Sequence, residues 1–215
     1  FIDELNFTGL AAGEHIITVR DGRGCTIDRS FQILQPEPLI VEAGQDTTID
    51  LGFVAQLLAT HEPLGKPVSY QWSPPTDCNC PAPQVQPVHT TTYEVIIVDD
   101  DGCSVSDSVT VFVYLNRPVF IPNSFTPNED GFNDRLAVYG GNAVAQNGIK
   151  KLQIFDRWGE MVWEGKNLPL NDETVGWDGT HRGRPLNPGV FVYLAEVQFL
   201  DDSILTFEGN ITLVK

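Results

Sequence analysis

Apolar residues along this chain alternate with polar ones instead of recurring at helical spacing. Between Ser104 and Leu115, Val105, Val109, Val111 and Val113 share one parity. Tyr93, Val95 and Ile97 do the same within Thr92–Val98, as do Phe191, Tyr193, Ala195, Val197 and Phe199 within Gly189–Leu200. Such alternation places one side of an extended strand in a core and the other in water. The runs are short and punctuated by 19 glycines and 15 prolines in 215 residues, the punctuation of antiparallel sandwiches. The pattern predicts an all-β chain of tandem antiparallel β-sandwiches.

Val19-Arg-Asp-Gly-Arg-Gly-Cys25 and its following strand echo Val98-Asp-Asp-Asp-Gly-Cys103 and the strand after it. Each copy reads as strand, acidic Gly turn, cysteine, strand: a hairpin that closes a sandwich. The first copy has about half the residues a sandwich needs, so residues 1–36 are expected to be the tail of an upstream β-sandwich repeat. The start at Phe1, not Met, reads as a piece of something longer. Pro-stiffened Gln35-Pro-Glu-Pro38 and Asn116-Arg-Pro118 mark the boundaries of a middle module, 37–116, and a last one, 117–215. In the middle module Trp72 falls in the third strand and Thr90-Thr-Thr-Tyr93-Glu-Val95 has the form of a tyrosine corner. Val95 stands where an antibody domain carries its cysteine. This module resembles the PKD-type and Ig-like repeats of large bacterial surface proteins, and Trp72 and Tyr93 are expected to be core.

A net charge of −16 argues against a nucleic-acid partner, which needs clustered Lys and Arg. No apolar run approaches the roughly 20 residues of a membrane span. The charge is uneven: residues 37–116 hold one basic residue, Lys66, against eleven acidic ones. The four histidines (His15, His61, His89, His181) are scattered, and neither HExxH nor GxSxG occurs, so no enzyme is expected. A disulfide from Cys103 to either Cys78 or Cys80 is expected, implying an oxidising, extracytoplasmic compartment. A zinc site using His89 is the competing reading. Cys25 is expected to find a partner upstream of Phe1.

One loop has the composition of a ligand site. Thr126, Asn128 and Asp130 offer side-chain oxygens at alternate positions, Phe132 a carbonyl and Asp134 a far-side carboxylate, with Gly131 at the sixth place. Calcium loops have this form, although Thr occupies the first position and the bidentate Glu is missing. The competing reading is an Asx-turn that hydrogen-bonds its own backbone. Asp99-Asp-Asp-Gly102 is a second, weaker acidic turn.

The last segment carries a family resemblance. Val119–Asp134 (with Phe125, Pro127, Asn128, Asp130, Gly131, Asn133 and Asp134) resembles the opening motif of the gliding motility-associated C-terminal domain family. So do Ile154–Glu160 (Phe155, Arg157, Trp158, Gly159), Gly176–Gly179 (Trp177, Asp178, Gly179), Pro188–Tyr193 (Gly189, Tyr193) and the closing Glu208–Lys215. Glu129 stands where the family usually has Gly. The resemblance implies a type B C-terminal sorting domain of the Bacteroidota type IX secretion system, at the end of a large adhesin exported through the outer membrane to the cell surface. It implies as partners the type IX translocon, a PorP/SprF-class outer-membrane barrel and a shuttle protein, with the Ig-like modules as spacers. Arg157 is expected to stack on a neighbouring aromatic or pair with Asp156 or Asp178, and Trp158, Trp163 and Trp177 to be at least partly buried.

The closing strand is the expected recognition surface. Phe207, Gly209, Ile211, Thr212, Leu213, Val214 and Lys215 would sit at a sheet edge, where a partner adds a strand through backbone hydrogen bonds. An ordinary core strand is the other reading. The alternative function is a calcium-dependent carbohydrate-binding or adhesion module built on the exposed tryptophans.

Overall fold

The computed structural model describes residues 7–214; residues 1–6 and Lys215, a member of the expected recognition strand, lie outside them. Two strands, β1 (Gly13–Arg20) and β2 (Thr26–Ile33), pair in an antiparallel hairpin that leaves Ile16, Val19, Ile27 and Leu34 exposed. The middle segment contributes β3 (Ile40–Glu42), β4 (Thr47–Asp50), β5 (Ala55–Gln56), β6 (Thr60–Glu62), β7 (Val68–Ser73), β8 (Gln84–Val85), β9 (Thr91–Asp99) and β10 (Ser104–Tyr114). The last segment contributes β11 (Val119–Phe120), β12 (Ser124–Phe125), β13 (Tyr139–Gly140), β14 (Val144–Phe155), β15 (Met161–Leu168), β16 (Thr180–His181), β17 (Arg184–Pro185), β18 (Gly189–Phe199) and β19 (Ile204–Leu213). The chain is all-β. Among the described residues no helix is long and apolar enough to cross a membrane.

The middle segment is built on a four-stranded sheet of order β4-β10-β9-β7, faced by the small pairs β3-β6 and β5-β8. Alternation in β9 and β10 turns Tyr93, Val95, Ile97, Val109 and Val111 onto one core with Trp72 and Leu57. Trp72 donates its indole N–H to the Cys80 carbonyl at 2.9 Å, satisfying its polar end inside the module. Tyr93 is buried, but among the described residues its hydroxyl makes no hydrogen bond, so the corner is a packing residue and not a hydrogen-bonded one. Asp46 and Asp107 accept the backbone N–H groups of Thr110 and Ala43 at 2.7 and 2.8 Å, clipping the module's first strands to β10.

The cysteine expectation is corrected. Cys78 is bonded to Cys80, and Cys103 is a free, exposed thiol. Register gives the reason. In the β7–β9 ladder Val68 faces Asp99 and Ser73 faces Glu94. Cys103 lies just beyond the Asp99 end, whereas Cys78 and Cys80 follow Ser73 at the opposite end. Five residue steps along the strand separate the two ends by about 17 Å, and bridged cysteines need Cα atoms within about 7 Å. Cys25, in the corresponding turn of the β1–β2 hairpin, is also free and exposed.

The last segment is built on a five-stranded sheet of order β12-β19-β18-β14-β15. Its core gathers Phe125, Leu136, Ile149, Leu152, Ile154, Trp177, Phe191, Ala195, Ile211 and Leu213. A smaller core joins the two segments: Leu51, at the end of β4, packs with Ala143, Val197 and Phe199. Arg117 lies over the Phe199 ring and pairs with Asp201. Burial pushes the Asp201 carboxyl up, while the Ser203 hydroxyl and the Arg117 guanidinium outweigh it and hold the group below the usual range. That contribution is present at neutral pH and is lost as pH falls through the depressed value. Gly52 completes the junction. At φ 88° it faces the Asn142 carbonyl, whose oxygen a Cβ would meet at 2.2 Å, so no other residue fits there.

Candidate functional site

Three of the five quoted motifs, spread over some ninety residues, converge on one cleft of the last sandwich, and the other two line a second groove. A cleft of about 490 Å³ is lined by Pro127, Glu129, Gly131 and Asp134 from the opening motif, Asp178, Gly179 and Thr180 from the Gly-Trp-Asp-Gly turn, and Leu213 from the closing strand.

The opening loop is tied by its own carboxylate. Asp134 Oδ1 accepts the backbone N–H groups of Asn128 and Glu129, and Oδ2 accepts that of Gly131, at 2.7–3.0 Å. Asn128 and Asp130 each accept a backbone N–H two residues on. The N–H of Gly131 leads the effects that hold the Asp134 carboxyl below its ordinary range, with those of Glu129 and Asn128 helping and burial opposing. The sign follows: the tie is complete above the ordinary carboxylate range and fails as pH falls through the depressed value. A calcium loop points oxygens at its centre, whereas this loop points N–H donors inward and fills the centre with a carboxylate. Thr126 and Phe132 enter the network through backbone atoms: Thr126 N–H donates to the Asn133 carbonyl and Phe132 N–H to Asp130.

The loop also holds one residue in a conformation that does not suit it. Glu129 sits at φ 63°, in the left-handed region, where a Cβ costs about 1–2 kcal/mol. Gly131 (φ 89°) and Asn133 (φ 52°) occupy that region with residues suited to it. Glu129→Gly is therefore expected to raise stability by about 1 kcal/mol, read as a higher melting temperature. An unchanged or lower value would mean that Glu129 makes an offsetting contact.

Trp177 is the pivot of the site. It is fully buried between Phe125 and Phe191, ring centroids 5.2 and 5.0 Å away, and its indole N–H donates to the Thr180 carbonyl at 2.9 Å. Asp178 accepts from the backbone and hydroxyl of Thr180 and fixes the turn. Gly179 (φ 77°) lies against Leu213, whose Cδ1 a Cβ would meet at 2.9 Å. Arg135, which the motif reading missed, joins the two loops by donating to the Gly176 carbonyl and lying 3.9 Å from Asp178. Tyr139 donates to Glu173 at 2.5 Å, and burial with that bond pushes its hydroxyl pKa up to about 12.

Arg157 takes the stacking alternative, and of the tryptophans only Trp158 departs from expectation. Asp178 is taken by Arg135 and Thr180, and Arg157 instead stacks on Trp158, 4.8 Å from the ring. Trp177 is wholly buried and Trp163 half-buried, but Trp158 is 79 % exposed. The turn places it there. Asp156 Oδ1 accepts the N–H groups of Trp158 and Glu160, and Gly159 (φ 83°) donates back to the Asp156 carbonyl. The same turn recurs at Asp21–Cys25 and Asp99–Cys103, with matching bonds to Asp21 and Asp99 and a left-handed Gly24 and Gly102. The sequence echo showed two copies; the third has no cysteine to signal it. Phe155 is half-buried, on the opposite face of the sheet from Ile154.

The closing strand is both core and edge. Ile211 and Leu213 are buried, Phe207 is half-buried, and Val214 is exposed. Gly209 pairs with Tyr193, whose ring covers it so closely that a Cβ would meet the hydroxyl oxygen at 2.6 Å. Gly189 starts β18 opposite Leu213. On its other side β19 pairs with β12 only at Thr212 and Leu213, with Thr212 N–H donating to Asn123 and Val214 N–H to Phe125. By parity the backbone groups of Thr206, Glu208 and Asn210 point to that same side, where no described strand pairs with them.

Residues 119–213 match the family model described as CHU_C Type IX secretion signal domain. No curated protein matches the chain. Among solved structures it is similar to a tetra-tandem repeat in the extending region of a large adhesion protein, at 18% identity over 99% of this chain and 60% of that one, with a TM-score of 0.38. It is also similar to Sidekick-1 immunoglobulin domains 1–5, at 11% identity over 94% and 45% of the two chains, TM-score 0.40. Dimeric latent PorU from Porphyromonas gingivalis gives 11% identity, 99% and 24% coverage, and a TM-score of 0.30. The chain thus spans less than two thirds of each of these structures.

Proposed function

We propose, from the premise that residues 119–213 belong to the type IX secretion signal domain family, that this chain is the C-terminal part of a secreted cell-surface adhesin whose last domain is read at β19 by the outer-membrane translocon. The signal domain marks the protein for export through the outer membrane to the cell surface by the type IX machinery. Within that machinery the direct partners are a PorP/SprF-class barrel and a shuttle protein, and the Ig-like modules act as spacers. The chain performs no catalysis of its own. The Thr126–Asp134 loop works without calcium, a reading supported by the three N–H donors that converge on Asp134.

The observation that supports recognition at β19 is its half-open edge: β18 pairs along the strand, whereas β12 covers only its end. An incoming strand would find the backbone groups of Thr206, Glu208 and Asn210. Glu208→Pro removes one N–H from that open side and none from the β18 ladder, and proline is tolerated at such an edge position. The variant is expected to fold and to lose export at least about tenfold when residues 37–215 carry a periplasmic reporter. Export at the unaltered level by a folded variant would exclude strand addition at this edge.

A further inference from the structure

We propose that the outward face of β14, β15 and β18, headed by Trp158, is a second docking surface, and that its occupant is a protein of the export machinery that meets it with uncharged, apolar side chains. The inference rests on the reading of this domain as an export signal. The ladder pairs Met161 with Phe155 and Phe155 with Val192, setting three apolar side chains in one row across three strands. Val190 extends the row along β18 and shares with Trp158 a groove of about 230 Å³. Trp158, Val190, Val192 and Met161 are 79, 57, 43 and 43 % exposed. A contiguous apolar patch on the solvent side of a sheet is unfavourable unless it is covered in use.

The thrice-used turn shows that Trp158 is not there for the fold. Its third position holds Arg23 in the β1–β2 hairpin, Asp101 in the β9–β10 hairpin and Trp158 in the β14–β15 hairpin. Charged residues serve that position twice, with the same aspartate bonds beneath them. The tryptophan adds nothing the turn needs and presents an indole to solvent, with Arg157 laid on it. Trp, Met and Arg are the residues that anchor protein interfaces.

Charge narrows the occupant. Around the row, Lys151 pairs with Glu196 at 2.5 Å, Lys166 with Glu164 at 3.0 Å, and Gln153 donates to Glu164 at 2.9 Å. These groups cancel one another, so nothing there selects a charged partner. A second copy would bring a net charge of −16 against −16. An anionic membrane needs free cations, yet the groove lining offers Arg157 against the carboxylates of Asp156 and Glu160. An apolar protein surface remains.

The test uses the full chain fused to a periplasmic reporter, unaltered and as the Trp158→Ala/Val192→Ser double variant. Leu64→Ser, exposed after β6 in the middle segment, serves as the control. The double variant is expected to melt within about 2 °C of the unaltered protein, as exposed positions do, and to be exported at least tenfold less, with the control exported normally. Should the double variant melt lower, Val190→Lys repeats the test with one exposed change on the same face. Normal export of the folded variants while Glu208→Pro fails overturns the docking surface and leaves the export reading standing. Translocon-independent behaviour of the unaltered chain overturns both. Binding of the unaltered protein to phosphatidylglycerol vesicles, or its dimerisation in the ultracentrifuge, abolished by the double variant would assign the face to lipid or to a second copy and overturn the proposed partner.

Discussion

Replacing Trp177 by alanine is expected to cost the C-terminal sandwich about 3–5 kcal/mol, the usual consequence of emptying a large aromatic site in a core. The side chain is wholly buried, contacts two aromatic rings, and holds Thr180 through its indole N–H. Loss of that bond leaves the Thr180 carbonyl without this donor, and the Leu136–Trp177 bridge that ties the opening loop to the turn weakens with it. Collapse cannot refill the site cheaply, because Gly176 already lies against the Leu136 carbonyl, where even a Cβ would meet the oxygen at 2.2 Å. Urea titration followed by near-ultraviolet circular dichroism measures the loss. The middle segment, whose Trp72 belongs to a separate core, should keep its own transition. A loss below about 1 kcal/mol would mean that Trp177 is dispensable to the packing described.

Removing Phe207–Lys215 is expected to unfold the last sandwich outright. The deletion takes Ile211 and Leu213 from the core, strips β18 of most of its outer partner and leaves β12 unpaired. Two buried aliphatic side chains alone are worth about 2–5 kcal/mol each, against a whole-domain stability of about 5–15 kcal/mol. Limited proteolysis should cut throughout 119–206 while 40–114 stays protected; a resistant 119–206 would contradict the strand's place in the core. A consequence for export follows. Secretion lost on truncation would report unfolding as readily as lost recognition, so single edge and face substitutions carry the functional question.

The sequence made the strands legible because one face of each is buried. Val95, Ile97, Val109, Val111, Phe191, Ala195 and Val197 alternate in the text and line cores in the structure. The five motifs were legible as a set, but the convergence of the opening, Gly-Trp-Asp-Gly and closing ones on one cleft was not, since it depends on pairing β19 with β18 and with β12. The cysteine pairing failed for the same reason: closeness in sequence says nothing about which end of a sheet each loop occupies. Trp158 read as a partly buried strand-turn residue because the turn type, not hydrophobicity, decides its exposure. The junction of Leu51 with Phe199, and the fit of Gly52 against Asn142, left no local signature at all.

Residues 117–215 are proposed to direct export by being read by the type IX machinery. Residues 37–215 should therefore be fused to a fluorescent reporter with a periplasmic signal peptide, keeping Leu51 over Phe199. Export is then compared in a gliding Bacteroidota strain with and without its type IX translocon, with the cognate outer-membrane barrel co-expressed. Reporter is expected at the cell surface and in the medium only when the translocon is present. A folded fusion that stays in the periplasm with translocon and barrel both present would contradict it.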